Sequence, residues 1–117
     1  MDLIYSYSRK QALEDGVLID VTALATEAGF QVPVAITQEL HSTYIKTNLP
    51  DQDEQGRLWD TLFLLSLSAK GSPNSVILYD VIFRMDDGSD QTITLRGVIG
   101  PNDDGSACVT VMLLSDS

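Results

Sequence analysis

One histidine and one cysteine are all the chain offers of the side chains that most often do chemistry near neutral pH. His41 alone cannot build the two-His or Cys/His zinc sites a single chain supports, so a metal here would have to be held by carboxylates. With Ile45 one turn further on, His41 reads as a half-exposed residue on the side of a helix. Cys108 begins an apolar run and has no cationic sequence neighbour to lower its pKa, which reads as a small packed thiol rather than a nucleophile. Sequence distance does not bar the two from meeting, but no neighbouring residue supports such a pair.

The carboxylates are the more numerous candidates. Asp51, Asp53 and Glu54 have loop spacings loosely like those of a calcium loop, but the glycine and the closing glutamate are out of register. Asp86-Asp87-Gly88-Ser89 and Pro101-Asn102-Asp103-Asp104-Gly105 are turn chemistry, with Asn and Asp bonding local backbone and Gly free to take positive φ. Gly97 and Gly100 flank Val98-Ile99 without leading into a helix, so they make no phosphate cradle. No cofactor and no metal is implied, and no catalytic residue stands out.

What the carboxylates do define is a surface. Asp and Glu number 17 against 7 Lys and Arg, a formal charge of −10, with a pI near 4.1. Such a balance disfavours direct binding of nucleic acid or an anionic membrane, because both are polyanions. Residues 1–50 carry −3 and residues 51–117 carry −7, so the acid is concentrated in the second half. It lies mostly in three turns, and alternate hairpin turns fall at opposite ends, which gives two acidic edges. Asp51, Asp53, Glu54, Asp86, Asp87 and Asp90 are the candidate partner-binding residues. The plainer reading of the same residues is solubilising charge on turns.

The elements that must position these residues follow from pattern. At 117 residues and 44% hydrophobic, the chain makes one core and one domain, residues 1–117, without disulfide or metal support. The start at Met1-Asp2-Leu3-Ile4-Tyr5 lacks the form of a signal peptide, and one cysteine makes no internal disulfide, so a cytoplasmic location is expected. The apolar stretch from Leu58 to Leu67 is too short and too interrupted to span a membrane. No repeat, low-complexity tract or polybasic tail is evident.

Ser8 and Gln11 form a capping box for a short helix from Arg9 to Asp15, closed by Gly16. Val17 to Val21 is a brief extended piece, and Thr22 caps a helix from Ala23 to Ala28 before Gly29. Gln31 to Val34 is extended around Pro33. Thr37 caps an amphipathic helix with Ile36, Leu40 and Tyr44 on one face, ending before Pro50. Asp51 to Gly56 reads as a solvated acidic loop. Arg57 to Lys70 is a helix apolar on most faces, stopped at Gly71 to Ser75.

The last third is a three-stranded antiparallel meander over Val76 to Met85, Gln91 to Ile99 and Ala107 to Leu114. Phe83 opposite Ile93 sets Val81 opposite Leu95, Ile77 opposite Ile99 and Asp80 opposite Arg96. In the next hairpin Ile99 meets Val109 and Leu95 meets Leu113. One face of the meander is thus apolar and receives the helix from Arg57. The outward face still carries Leu78, Ile82, Val98 and Met112, so either Leu3 to Val21 covers it or it is an interface with a second copy or another protein. The class is α+β: a C-terminal meander on helices, with a short N-terminal helix and extended segment.

The stretch Ile4-Tyr5-Ser6-Tyr7-Ser8-Arg9-Lys10-Gln11-Ala12-Leu13-Glu14-Asp15-Gly16-Val17-Leu18-Ile19-Asp20-Val21 resembles the opening of a family of small uncharacterised proteins carried by bacterial plasmids, phages and integrated elements. Ala28-Gly29-Phe30, Pro33-Val34-Ala35, Gly56-Arg57-Leu58-Trp59-Asp60, and Gly100-Pro101 with Asp103-Asp104-Gly105 continue the likeness in order along the chain. The resemblance implies membership and, through its mobile-element setting, a role such as countering host defence; it implies no activity.

Three functions fit. The first is a protein-binding module: an inhibitor whose acidic turns occupy the basic nucleic-acid site of a host nuclease or CRISPR-type complex, steered there by charge. The second is an enzyme seated where Tyr5, Tyr7, Arg9, Glu14 and Asp15 meet Arg57, Trp59 and Asp60. The third is a structural accessory protein, with a homodimer built on the sheet's outer face.

Overall fold

The structure, a computed structural model, describes residues 8–47, 53–72 and 74–115. Its strands are β1 (Leu18–Asp20), β2 (Val34–Thr37), β3 (Val76–Arg84), β4 (Asp90–Pro101) and β5 (Ala107–Leu113). They form one sheet in the order β1-β2-β5-β4-β3. The expected meander of β3, β4 and β5 is therefore present, but as part of a larger mixed sheet. β2 runs parallel to β5, with Val34 opposite Val109 and Ile36 opposite Val111, and β1 pairs antiparallel with β2. Val34, Ala35 and Ile36 are all buried, as a strand covered on both faces must be. The Val109 N–H donates to the Pro33 carbonyl at 2.9 Å, so proline contributes its acceptor to the ladder and lacks only the donor.

The two hairpins close by the same chemistry. Asp-Asp-Gly-Ser occurs at Asp86–Ser89 and again at Asp103–Ser106, a recurrence the sequence reading overlooked. In the first turn the Asp87 carboxylate accepts from the Ser89 N–H at 2.9 Å and from its hydroxyl at 2.5 Å, while Gly88 takes φ 85°. In the second, Asp104 and Ser106 repeat these bonds at 2.9 and 2.5 Å, with Gly105 at φ 86°. The glycine supplies the left-handed residue that a three-residue hairpin loop needs.

This turn corrects the expected register of the first hairpin by two residues. Met85 donates to Ser89 at 2.7 Å across the loop, which places Phe83 opposite Gln91, Val81 opposite Ile93, Tyr79 opposite Leu95 and Ile77 opposite Gly97. A shift of two keeps every side chain on its expected face, so the inward apolar set survives. Asp80 now lies opposite Thr94, whose hydroxyl donates to it at 2.5 Å, rather than opposite Arg96. The second hairpin has the expected pairs, Ile99 with Val109 and Leu95 with Leu113.

The helices are α1 (Arg9–Glu14), α2 (Thr22–Glu27), α3 (Gln38–Leu40, continuing as a π-helical turn His41–Ile45) and α4 (Glu54–Ala69). Ser8 caps α1 through the Gln11 N–H at 3.0 Å, and Thr37 caps α3 through the Leu40 N–H. Thr22 is the first residue of α2 rather than its cap; Asp20 accepts its N–H at 3.0 Å. Ile36 belongs to β2, not to the helical face expected for it. From His41 the helix widens, with the Lys46 N–H reaching the His41 carbonyl at 2.8 Å. The widened turn seats Ile45 in the core, and the Tyr44 ring stacks on Phe83 at 5.2 Å.

α4 starts three residues before the expected helix. Asp53 is its N-cap, accepting the Gln55 N–H at 3.0 Å, so Glu54, Gln55 and Gly56 are helical rather than loop. Its buried stripe is Arg57, Thr61, Leu62 and Leu65, one to two turns apart, and it lies on the inward face of the sheet. Phe63 and Leu67 are 41% and 50% exposed, so the helix is apolar well beyond the face that it buries. The Tyr79 hydroxyl donates to the Thr61 carbonyl at 2.9 Å and ties the middle of α4 to β3.

The outward face is covered only in part. α1 lies over β2 and β5: the Arg9 guanidinium donates to Thr110 Oγ1 at 2.6 Å and to the Val109 carbonyl at 2.8 Å. Ala12, Ala35 and Cys108 are buried on this side, outside the main core. Leu78 and Ile82 of β3 remain 60% and 67% exposed, because α1 is too short to reach across β4. The expectation that the N-terminal segment covers the whole face fails for the described residues. Leu3, Ile4, Tyr5 and Tyr7 lie outside them.

Candidate functional site

The first turn of α4 and the β3–β4 turn come together at one end of the molecule. Arg57 joins them. Its guanidinium donates to the Tyr44 carbonyl at 2.7 Å and to the Arg84 carbonyl, linking the π-helical turn, α4 and the end of β3. Even-numbered β3 residues turn their backbone groups away from β4, so this bond also closes the last position of the free sheet edge. Arg57 is 8% exposed, and among the described residues its Nε has no hydrogen-bond partner. The two carbonyls fix the guanidinium in place, and its positive charge stays among the acids that line the same clefts.

Three clefts meet at Arg57. The first is lined by Glu27, Asp53, Trp59 and Asp60. The second holds Asp60, Arg84 and Asp90, and the third Lys46 and Asp86. Of the expected partner-binding residues, Asp53, Asp86 and Asp90 are thus gathered around one side chain. Glu54, next to Asp53, faces an adjoining groove with Asp20 and His41. Asp87 sits in the same β3–β4 turn, and Asp51 lies outside the described residues. The third acidic turn, Asp103–Asp104, closes the other hairpin at the opposite end of β4.

These carboxylates differ in what they already do. Asp53 caps a helix, Asp87 ties its own turn, and Asp90 pairs with the Arg84 guanidinium at 3.1 Å. The Ser89 hydroxyl, then the Ser89 N–H, hold Asp87 below the usual carboxylate range. Glu54 and Asp86 are exposed and make no hydrogen bond or ion pair among the described residues. They are the two whose charge is fully available to a partner.

Sequence reasoning missed the role of Asp103. Its carboxylate accepts the Arg9 N–H at 2.8 Å and the Lys10 N–H at 3.0 Å, so it fastens the start of α1 to the β4–β5 turn. The Lys10 and then the Arg9 backbone bonds hold its carboxyl below the ordinary range. The only signal for this was the presence of both segments in the resemblance. The residues suggested as an enzyme seat are not brought together: Arg9 and Asp15 line a cleft of about 790 Å³ over β2 and β5, while Trp59 and Asp60 line the one beside Arg57. Among the described residues no group of three or more His, Cys, Asp or Glu is placed to hold a metal ion. No helix described is long and apolar enough to cross a membrane.

Fold and clefts together define a small α+β protein whose mixed sheet carries helices on both faces and in which three clefts, lined by carboxylates and basic side chains together, meet at a buried arginine. The chain belongs to a family of unknown function, DUF6573, whose family model matches residues 1–117. None of the curated proteins and none of the solved structures matches it.

Proposed function

We propose that the protein is an acidic binding module that occupies the basic, nucleic-acid-binding surface of another protein. One observation carries this reading: the three clefts that meet at Arg57 gather Glu27, Asp53, Asp60, Asp86 and Asp90 at one end of the molecule, five carboxylates against the three bases Lys46, Arg57 and Arg84. Negative potential presented on a rigid helix start and a tight hairpin steers a basic partner and competes with the phosphates that partner normally meets. In the mobile-element setting that the family resemblance implies, the partner is a host defence complex such as a CRISPR-type nuclease, and binding inhibits it.

The test uses Glu54 and Asp86, two exposed acids of the expected partner-binding set that make no hydrogen bond or ion pair among the described residues. Affinity capture from a bacterial lysate with the natural chain should retain basic proteins at low salt, release them at high salt, and lose them when DNA or RNA is added as competitor. Glu54→Gln/Asp86→Asn should keep the circular dichroism of the natural chain and lose most of that capture. Equal capture by the double variant, or capture indifferent to added nucleic acid, would overturn the reading.

A further inference from the structure

The acidic turns do not account for an apolar groove between α2 and α4. Its floor is Ile19, Leu24, Ile45 and Leu58, and its rim carries Asp20, Glu27 and Glu54. At Leu24, Glu27 and Gln55 the groove runs on into the cleft that holds Asp53, Asp60 and the half-buried Trp59. Among the residues lining both parts, the one Lys or Arg is Arg57, already engaged by Tyr44 and Arg84. The Trp59 ring stacks on Phe63 at 6.0 Å, and exposed Leu67 extends the apolar stripe along α4.

Gly56 adds a detail that internal packing does not demand. It sits in the first turn of α4, where a Cβ would meet only the Asp53 side chain, at 3.6 Å, an ordinary contact. Helix propensity alone favours alanine there. What the glycine keeps is width in the cleft that it lines.

We infer that this groove receives a basic amphipathic helix of the partner protein. Apolar side chains one turn apart fit over Leu24 and Leu58, the lysines or arginines beside them meet the carboxylate rim, and one cation lies against Trp59. Charge decides between occupants: five carboxylates around an apolar trough reject an acidic segment, and a second copy would bring −10 to meet −10. The inference names the binding element of the basic partner proposed above and rests on that reading.

Trp59 is the single tryptophan, so its emission reports on the groove directly. The probe is a synthetic Leu/Lys amphipathic peptide of about 15 residues, roughly four helical turns, beside a Leu/Glu peptide and a scrambled Leu/Lys peptide. The Leu/Lys peptide should shift Trp59 emission saturably and bind more weakly as salt rises, and the two controls should do neither. Glu27→Gln/Asp60→Asn, both at exposed positions, should weaken binding at low salt by roughly two- to thirtyfold, the worth of two exposed ion pairs. Gly56→Ala should weaken it too while raising the melting temperature, which separates binding from folding. Asp86→Asn alone should leave the titration unchanged, so failure of the groove and failure of the hairpin end are read separately. No saturable shift, an equal shift with the scrambled peptide, or full affinity in Glu27→Gln/Asp60→Asn would overturn the inference. So would a shift on concentrating the protein alone together with a sedimentation mass of two chains, which assigns the groove to a second copy.

Discussion

Leu65 packs against the sheet at the one inward position where β4 has no side chain. A Cβ built on Gly97 would stand 2.7 Å from Leu65 Cδ1, closer than real Cβ contacts come, and a tight 3.1 Å from Cδ2. Leu65 is 2% exposed and cannot swing away into solvent. Gly97→Ala should therefore destabilise the fold by about 1–3 kcal/mol, as overpacking does, read from chemical denaturation. Leu65→Ala should cost about 2–5 kcal/mol alone, and the double variant should cost less than the sum, since the smaller side chain makes room for the new methyl. Additive costs would show that the clash is relieved elsewhere. In the sequence Gly97 was visible only as a glycine without a phosphate loop, because its close neighbour is 32 residues away in the chain.

Single elements here are fixed by caps, and the hold of Asp103 on α1 depends on pH. Asp103 holds the first two N–H groups of α1 and has its pKa lowered by them. A carboxyl whose folded pKa lies below its unfolded value, about 3.9 for Asp, contributes stability that is in full force above that value. The contribution is lost as pH falls through the folded pKa. Acidification from about pH 4 downward, the ordinary Asp range, should free the Arg9 and Lys10 amides, seen as shifts of their NMR signals and faster hydrogen exchange. Asp103→Asn should show that faster exchange already at neutral pH and lose its acid dependence. Unchanged Arg9 and Lys10 amides in the variant would place the hold on α1 in the Arg9–Thr110 bond instead. The contrast with Asp86 is informative, since it occupies the same place in the twin turn and leaves its oxygens exposed.

Across the whole molecule, β5 is the central strand, although it closes the described chain. It lies between β2, some 75 residues earlier, and β4, so opening it separates both halves of the sheet. Cys108 on β5 is 3% exposed and is the only thiol. A thiol reagent should modify it in the native protein at least about 10³-fold more slowly than in denaturant, the ratio set by the free energy of a core strand's opening. Labelling nearly as fast as in the unfolded chain would mean that β5 is less firmly held than its place in the sheet implies. Gly97→Ala should speed native labelling by the factor its destabilisation predicts. The free edge at β3 is guarded rather than paired, with charged Asp80 and Arg84 along it and Arg57 closing its end.

By itself the sequence determined whatever depends on neighbours a few residues apart: the caps at Ser8 and Thr37, the α+β class, the meander with its inward apolar face, and the register of the second hairpin. It also set the sign of the surface. Two local signals were there but misread: the recurring Asp-Asp-Gly-Ser that fixes the first register, and Asp53 as a helix cap. Only the tertiary structure decided that the three- and four-residue strands β1 and β2 join the sheet, that Arg57 turns inward to bind Tyr44 and Arg84, and that Asp103 holds α1. Each of the last three unites segments far apart in the chain, and such contacts leave no periodicity behind. Pattern along a chain records which face a residue turns to the core, whereas the partner it meets there depends on how distant segments stack.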